Sequence, residues 1–358
     1  MVKKRYGFML SMVLAAGTLL SACGGSDTTS GDGEKKDDKF KVAMVTDTGG
    51  IDDQSFNQSA WEGLKEFGKE NGLEEKKGYN YLQSDNQSEY RPNLNNAIRQ
   101  GYDLVFGIGF LMTEDIKKVA EQQKDGQFAL VDSVVELDNV ASITFKEHQG
   151  SFLVGLVAGL QTKTNKIGFI GGVESALIKK FENGFKAGVL TANPNAEIFP
   201  QYAGDFNDAA KGTAIASTLY GKGADIIYHA AGGTGAGVFT EAINRKKNGE
   251  DVWVIGVDRD QFAEGVYDKA NNKSVTLTSM VKRVDTAVFQ VSKQTKEGNF
   301  PGGEIIEFGL EEEGVGIAPT KDNVSEDALK MVDEYKEKII AGEIEVPKTD
   351  EEFTSFGK

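Results

Sequence analysis

The stretch KVAMVTDTGGIDDQSFNQSAWEGLK, residues 41–65, contains the pattern on which the fold prediction depends. Its apolar start, residues 41–46, predicts a buried β-strand, and an amphipathic pattern predicts a helix from about Gln58 to Asn71. The loop between them is polar and rich in glycine and aspartate, apart from the aromatic Phe56. A short buried strand that leads directly into a helix is the repeating unit of a parallel sheet covered by helices.

The same alternation of short apolar strands and amphipathic helices continues along the chain. Further strands are predicted at residues 79–83, 104–108, 127–131 and 140–145, and then at 166–170, 197–202, 226–229 and 252–257. Helix patterns separate most of these strands, as crossover connections between parallel neighbours require. The two series predict an α/β protein with two similar lobes.

The C-terminal part of the chain is expected to return through both lobes. It contains strand patterns at 274–280 and 304–308 and helix patterns at 281–296 and 325–340. We assign residues 40–145 plus 259–302 to the first lobe, 146–258 plus 303–347 to the second, and 348–358 to a C-terminal tail. Several crossovers of this kind make a hinge, and ligands of open parallel sheets bind beyond the carboxyl ends of the strands. The sequence therefore predicts an interlobe cleft.

The N-terminus has the pattern of a secretory leader. Three basic residues, 3–5, precede an apolar run, residues 6–22, which ends at Cys23. We expect residues 1–22 to be a signal peptide. The stretch LSAC, residues 20–23, resembles the lipobox of bacterial lipoproteins, which implies lipid attachment to Cys23; an ordinary signal peptide with a free thiol is the alternative. Residues 24–39 are small, polar and charged, so residues 23–39 form a lipidated cysteine followed by a flexible tether.

Composition excludes several classes of protein. The formal charge is −15, which gives the chain no electrostatic footprint for nucleic acid. Cys23 is the only cysteine and there are two histidines, so a soft metal site is not expected. Asp47, Asp52 and Asp53 lack the spacing of a calcium loop; we expect no cofactor and no metal, and a helix-capping role for Asp53 or Ser55.

Two aromatic residues on polar loops are candidates for contact with a flat ligand. Phe56 lies at the start of the first helix, and Phe206 lies in AGDFNDAAK, residues 203–211, in the second lobe. One ring from each lobe could enclose a planar base, each stack contributing about 1–3 kcal/mol. Asn57, and likewise Asn207, could offer an amide to the edge of the base. Packing of Phe56 on its own helix is the structural alternative.

Polar residues at strand ends are candidates for the rest of the site. Asp47, Asp132 and Asp258 each follow or end a strand; Asp132 could accept from a base N–H, and Asp258 could accept both hydroxyls of a ribose. Lys282, just past a predicted strand, could donate to a sugar oxygen. The glycine-rich stretch around Gly232 matches neither phosphate-binding fingerprint, so close backbone approach to a ligand is its expected use. A turn aspartate, a surface ion pair and a solvated lysine are the alternatives.

No pair of a nucleophile and a base stands out in the sequence. His148 lies beside Glu147 at the start of a helix, and His229 ends a buried strand, positions that are more often structural than catalytic. A binding protein is therefore favoured over an enzyme.

The chain resembles the basic membrane protein family of lipoproteins, and within it the purine nucleoside receptor lipoproteins. The residues that carry this resemblance are 45–63, 107–110, 181–188, 202–212, 232–237 and 256–261. It implies a type I periplasmic-binding-protein fold of two Rossmann-like lobes, and capture of purine nucleosides for the permease of an ABC transporter at the extracytoplasmic face of the cell membrane. It also implies that Phe56 and Phe206 hold the base and that Asp258 and Lys282 hold the ribose.

The same resemblance implies that Asp47, Asn57, Asp132 and Gly232 surround the ligand. We expect the protein to act as a monomer. Other functions remain open from the sequence: a pentose-binding lipoprotein, a nucleoside-cleaving enzyme that uses Asp47, Asp52 and Asp53 with calcium, and an adhesin or signalling receptor without transport. The preferred purine nucleoside is also left open.

Overall fold

A computed structural model describes residues 40–357 of the protein. The predicted signal peptide, the lipidated Cys23 and the tether lie outside the described residues. The strands are, in chain order, β1 (Val42–Val45), β2 (Tyr79–Leu82), β3 (Leu104–Ile108), β4 (Gln127–Val131), β5 (Val140–Phe145), β6 (Lys166–Gly171), β7 (Glu197–Tyr202), β8 (Ile226–Ala230), β9 (Trp253–Asp258), β10 (Val266–Asp268), β11 (Lys273–Ser274), β12 (Thr276–Lys282), β13 (Ile305–Phe308) and β14 (Val315–Ile317).

The α-helices alternate with these strands as the periodicity predicts. They are α1 (Phe56–Glu70), α2 (Tyr90–Arg99), α3 (Thr113–Gln122), α4 (Glu147–Gln161), α5 (Ala176–Ala192), α6 (Ala209–Gly221), α7 (Gly235–Lys247), α8 (Val284–Lys296), α9 (Glu326–Ile340) and α10 (Asp350–Ser355). Between residues 40 and 357 no helix is both long enough and apolar enough to cross a lipid bilayer.

Two six-stranded sheets carry the two lobes and share one strand order. The first has the order β13-β5-β4-β3-β1-β2 and the second β14-β12-β9-β8-β6-β7. All pairings in the first sheet are parallel. In the second, only the edge strand β14 runs antiparallel to its neighbour. The prediction of an α/β protein with two similar lobes is confirmed.

The chain crosses between the lobes at three places: between β5 and α4, between β12 and α8, and between β13 and β14. This differs from the expected boundaries, which placed residues 259–302 in the first lobe and 303–347 in the second. Strand β12 pairs with β9 in the second sheet, and β13 pairs with β5 in the first. Strand propensity alone does not state which sheet a returning strand joins, because the pairing of β12 with β9 and of β13 with β5 is long-range.

Late segments of the chain complete both lobes. Helix α8 lies against α1 so closely that a Cβ at Gly63 would overlap the backbone carbonyl of Asp285. Phe67 of α1 and Phe289 of α8 meet edge to face, with ring centroids 6.2 Å apart. The predicted C-terminal tail contains α10, whose Asp350 accepts a hydrogen bond from Asn183 Nδ2 of α5 at 3.0 Å.

Candidate functional site

A cavity lies where the carboxyl ends of the two sheets face each other. Residues of both lobes line it, and the eight side chains or backbone positions singled out from the sequence are all among them. They are Asp47, Phe56, Asn57, Asp132, Phe206, Gly232, Asp258 and Lys282. The two sheets therefore bring together residues that are up to 235 positions apart in the chain. That these residues contact a ligand stays a prediction.

The loop before α1 is organised by one buried carboxylate. Asp53 accepts backbone N–H groups of Ser55 (2.9 Å), Asn57 (2.8 Å) and Gln58 (3.0 Å), which are donors left free at the start of the helix. Ser55, which occupies the N-cap position, makes no capping bond with its own side chain. Asp53 therefore performs the capping that the sequence assigned to one of the two residues.

Asn57 is engaged inside this loop. Its Nδ2 donates to Asp47 Oδ1 at 2.6 Å and to Asp53 Oδ2 at 2.9 Å, and its Oδ1 accepts the backbone N–H of Asp47 at 3.1 Å. Both of its donors are thus used within the protein. The sequence suggested that Asn57 presents its amide to a base; the contacts instead show it fixing the carboxylate of Asp47 at the cavity wall.

Aromatic rings from opposite lobes line the cavity. Phe56 is the first residue of α1, and Phe206 follows β7 in the second lobe. Phe206 meets Phe110 of the first lobe edge to face, with centroids 6.2 Å apart and planes at 83°. Gly172 makes room for Phe206, because a Cβ there would overlap the ring. Phe110 was not among the residues predicted for the site, although it follows a strand in a glycine-containing loop much as Phe206 does.

The glycine-rich stretch after β8 supports the Phe206 loop. Gly232 has φ +54°, in the left-handed region that favours glycine, and a Cβ there would lie 3.2 Å from the carbonyl oxygen of Phe206. The backbone N–H of Thr234 donates to that same carbonyl at 3.1 Å. The backbone of the glycine-rich stretch therefore packs closely against the backbone of the loop that carries Phe206.

Two acids of the cavity have left-handed backbone conformations. Asp132, directly after β4, has φ 71°, and Asp258, the last residue of β9, has φ 66°. Such conformations are uncommon for residues other than glycine and are concentrated at functional sites. Ser55 Oγ of the first lobe donates to Asp258 Oδ2 at 2.5 Å. These turns place both carboxylates in the wall of the cavity.

Burial raises the pKa values of these acids and so favours their protonated forms. Loss of solvation raises the pKa of Asp258 to about 7, although Lys282 and the Ser55 hydroxyl favour its ionised form. Loss of solvation likewise raises the pKa of Asp47 to about 6, against the hydrogen bonds from Gly49 and Asn57. Burial also raises the pKa of Asp132 above its ordinary value, despite the attraction of Lys282.

Lys282 is the cation of the site and is only 1% exposed. It is the last residue of β12, not a residue beyond the strand as its sequence suggested. Its Nζ donates to Asp132 Oδ2 at 2.6 Å and lies 5.0 Å from the ring centroid of Phe56. Burial lowers the pKa of Lys282, but Asp132, Glu147 and Asp258 together outweigh that effect and hold it above its usual value.

One carboxylate oxygen of the cavity-lining Asp132 has no partner. Asp132 Oδ1 is buried and makes no hydrogen bond with any described residue, whereas its other oxygen is paired with Lys282. A buried acceptor left unsatisfied costs about 1–3 kcal/mol. A ligand donor placed in the cavity would remove that cost.

Further polar contacts join the two lobes around the cavity, in addition to the bond between Lys282 and Asp132. Besides the bond from Ser55 to Asp258, Asn207 Nδ2 donates to the carbonyl of Thr48 at 2.9 Å. Arg259 pairs with Glu62 at 2.8 Å, and Gln261 Nε2 donates to the carbonyl of Gln54 at 2.9 Å. The cavity is therefore described with the lobes closed on each other.

Neither histidine lines the cavity. Burial lowers the pKa of both His148 and His229 to about 4, and His229 Nε2 is 3.1 Å from Gln261 Oε1. In the part of the chain that the structure describes, no three acidic, histidine or cysteine residues are grouped to hold a metal ion. Asp52 is exposed and does not join the buried Asp47 and Asp53.

Comparisons with known proteins agree with this architecture. The family model Bmp, described as ABC transporter substrate-binding protein PnrA-like, matches residues 40–350. The CD4+ T-cell-stimulating antigen of Listeria innocua is 54% identical over 354 residues, which is 97% of this chain and 99% of that protein. The ABC transporter nucleoside-binding protein BmpA of Lactococcus lactis is 44% identical over 352 residues, with the same shares covered.

Among solved structures, an ABC transporter solute-binding protein from Aeropyrum pernix superposes with a TM-score of 0.77 at 28% identity, covering 88% of this chain and 96% of that one. The fold is that of a type I periplasmic-binding protein, the two-lobed class that encloses a solute between its lobes. The chain belongs to the Bmp family of PnrA-like ABC transporter substrate-binding proteins. The resemblance found in the sequence motifs is confirmed.

Proposed function

We propose that this substrate-binding protein captures purine nucleosides in the interlobe cavity and delivers them to the permease of an ABC transporter. The observation that carries the proposal is the pairing of Phe56 and Phe206, one from each lobe, around a cavity that also holds Asp258 and Lys282. Flat, apolar walls with a few buried polar groups suit a ligand made of an aromatic base and a sugar. The Lactococcus lactis relative, named as a nucleoside-binding protein, is consistent with this choice.

The base is held by stacking and by one carboxylate. Phe56 and Phe206 cover its two faces, and each stack contributes about 1–3 kcal/mol. Asp132 Oδ1, the unpaired buried acceptor, takes an N–H of the base. Asn57 acts indirectly, by holding Asp47 in place.

The ribose is held by charged groups of the second lobe. Asp258, when ionised, accepts two ribose hydroxyls, and Lys282 donates to a sugar oxygen. Hydrogen bonds to a charged group contribute about 1.5–3 kcal/mol each. Because residues of both lobes contact the ligand, its binding favours the closed arrangement over an open one.

The protein acts at the extracytoplasmic face of the cell membrane. After removal of residues 1–22, lipid on Cys23 anchors it, and residues 24–39 tether the binding lobes. Buried acyl chains contribute about 0.8 kcal/mol per methylene, and two chains suffice for lasting attachment. The protein works as a monomer, with the nucleoside and the permease as its partners and no nucleic acid among them.

Isothermal titration of the purified protein with adenosine, guanosine, inosine, cytidine and ribose tests the proposal. We expect binding of the purine nucleosides, with cytidine and free ribose binding at least tenfold more weakly, because a pyrimidine or no base offers less stacking area. Binding of ribose alone would contradict the proposal and favour a pentose-binding protein. Release of free base on incubation with inosine would indicate the enzyme instead.

A further inference from the structure

A buried glutamate lies directly behind the ligand-facing lysine. Glu147 is the first residue of α4, immediately after the first crossover between the lobes, and its side chain is fully buried. It does not line the cavity. Its Oε1 lies 3.3 Å from Lys282 Nζ, an ion pair whose geometry is not that of a hydrogen bond, and its Oε2 accepts from Lys180 Nζ at 3.0 Å.

Two carboxylates therefore share the ammonium group of Lys282. Asp132 approaches it from the first lobe at 2.6 Å, and Glu147 approaches from α4. Aromatic rings enclose the same ammonium: the centroids of Phe56 and Phe145 lie 5.0 and 4.9 Å from Nζ. A four-carbon side chain with three rotatable donors has no rigid geometry of its own, so these neighbours set where its charge lies.

The division of the ammonium between two acids is consistent with the unpaired oxygen of Asp132. An ammonium close to a lone carboxylate is attracted to both of its oxygens, because they share the negative charge. Here Lys282 pairs with only Oδ2 of Asp132, and Oδ1 stays without a partner. The attraction of Glu147 holds the ammonium on the Oδ2 side, and Lys180 in turn anchors Glu147 while also donating to the carbonyl of Phe145 at 3.1 Å.

We propose that Glu147 is a positioning residue of the nucleoside site: it holds the Lys282 ammonium so that Asp132 Oδ1 and the remaining lysine donors stay open to the ligand. The expected effect of Glu147 on nucleoside affinity rests on the proposed function. Glu147 touches no ligand, so its effect on affinity must pass through Lys282.

The test measures inosine affinity by titration calorimetry for Glu147→Gln, Lys282→Met and the double variant. Glutamine keeps the size of glutamate and removes its charge. We expect Glu147→Gln to weaken inosine binding about tenfold, and the double variant to bind no more than twofold more weakly than Lys282→Met alone. Unchanged inosine affinity in Glu147→Gln would overturn the inference. So would a double variant that binds inosine tenfold more weakly than Lys282→Met alone.

Glu182→Gln is the matched control for loss of a buried acid. Glu182 also lies between two lysines, Lys179 at 3.0 Å and Lys186 at 3.1 Å, in the same lobe, and it does not line the cavity. Both glutamine variants should lower the unfolding temperature, but only Glu147→Gln should weaken inosine binding. An equal loss of affinity in Glu182→Gln would show a general structural effect and overturn the inference.

A measurement without ligand separates this inference from the proposed function. The ¹⁵N signal of the Lys282 ammonium, assigned by its loss in Lys282→Met, should be resolved in the wild-type protein and in Glu182→Gln, because burial slows its exchange with water. It should shift or vanish in Glu147→Gln, and an unaltered signal there would overturn the positioning role. Wild-type protein that binds no purine nucleoside would instead refute the proposed function.

Discussion

Purine nucleoside affinity should depend on pH between 6 and 8 because of Asp258. Burial raises the pKa of this carboxyl to about 7 in the closed structure, and the ionised form accepts hydrogen bonds from ribose hydroxyls more strongly than the protonated form. If the protonated form does not bind, the apparent Kd exceeds its high-pH limit about 1.1-fold at pH 8, about twofold at pH 7 and about 11-fold at pH 6. Lowering the pH from 8 to 6 should therefore weaken binding about tenfold, or ~1.4 kcal/mol.

Calorimetry can test whether this pH dependence of affinity comes from proton release on ligand binding. Adenosine is a suitable ligand because it does not itself titrate in this range. Titrations in two buffers of different ionisation enthalpy should show release of about half a proton per adenosine at pH 7, since half of the free protein carries a protonated Asp258. The raised pKa of Asp47, about 6, should add to the loss of affinity only near pH 6 and below.

Two variants locate the group that titrates. Asp258→Asn should bind weakly, show nearly constant affinity from pH 8 to 6.5, and release almost no proton. Ser55→Ala should move the midpoint to higher pH, because Ser55 Oγ donates to the ionised form of Asp258 and stabilises it. Constant wild-type affinity across this range, or an undiminished proton release in Asp258→Asn, would refute the assignment.

Two further predictions concern the base and the anchor. In titration calorimetry, Phe206→Ala should weaken purine nucleoside binding at least tenfold, about 1.4 kcal/mol. Phe206→Tyr, the control, should retain most of the affinity. An unchanged Kd in Phe206→Ala would leave Phe206 with only a packing role against Phe110. Cys23→Ser should move the protein from the membrane fraction to the soluble fraction of the producing cell, and continued sedimentation with membranes would contradict lipid anchoring.

The architecture could be predicted from the sequence because its periodic signals are strong. The apolar runs that became β1, β3, β4, β8 and β9 are buried except for the first residue of β4 and of β9, and each is followed by a helix or a turn at the cleft. Parallel order then brings their carboxyl ends to one edge, so residues that follow these strands could be grouped before any contact was known. The lobe to which β12 and β13 belong depends on long-range pairing that neither strand encodes locally.

The finer features of the site depend on the three-dimensional arrangement. Phe110 lines the cavity and meets Phe206 of the other lobe, a contact between two distant loops that neither loop encodes locally. In the sequence, Glu147 looks like an ordinary acidic residue in the first turn of a helix. It becomes a counter-ion of Lys282 because the crossover between the lobes packs α4 against β12. The positive φ of Asp132 and Asp258 has no sequence signal, since aspartate occurs in many turns without it.

The crossovers also affect how the molecule can assemble during synthesis. In many proteins of two domains the N-terminal domain folds while the ribosome is still making the rest. Here α8, which covers α1, and β13, the edge of the first sheet, are made only after β12 of the second lobe. The N-terminal lobe therefore cannot close its core ahead of its partner, and the two halves of the molecule reach completion nearly together, when translation is almost finished.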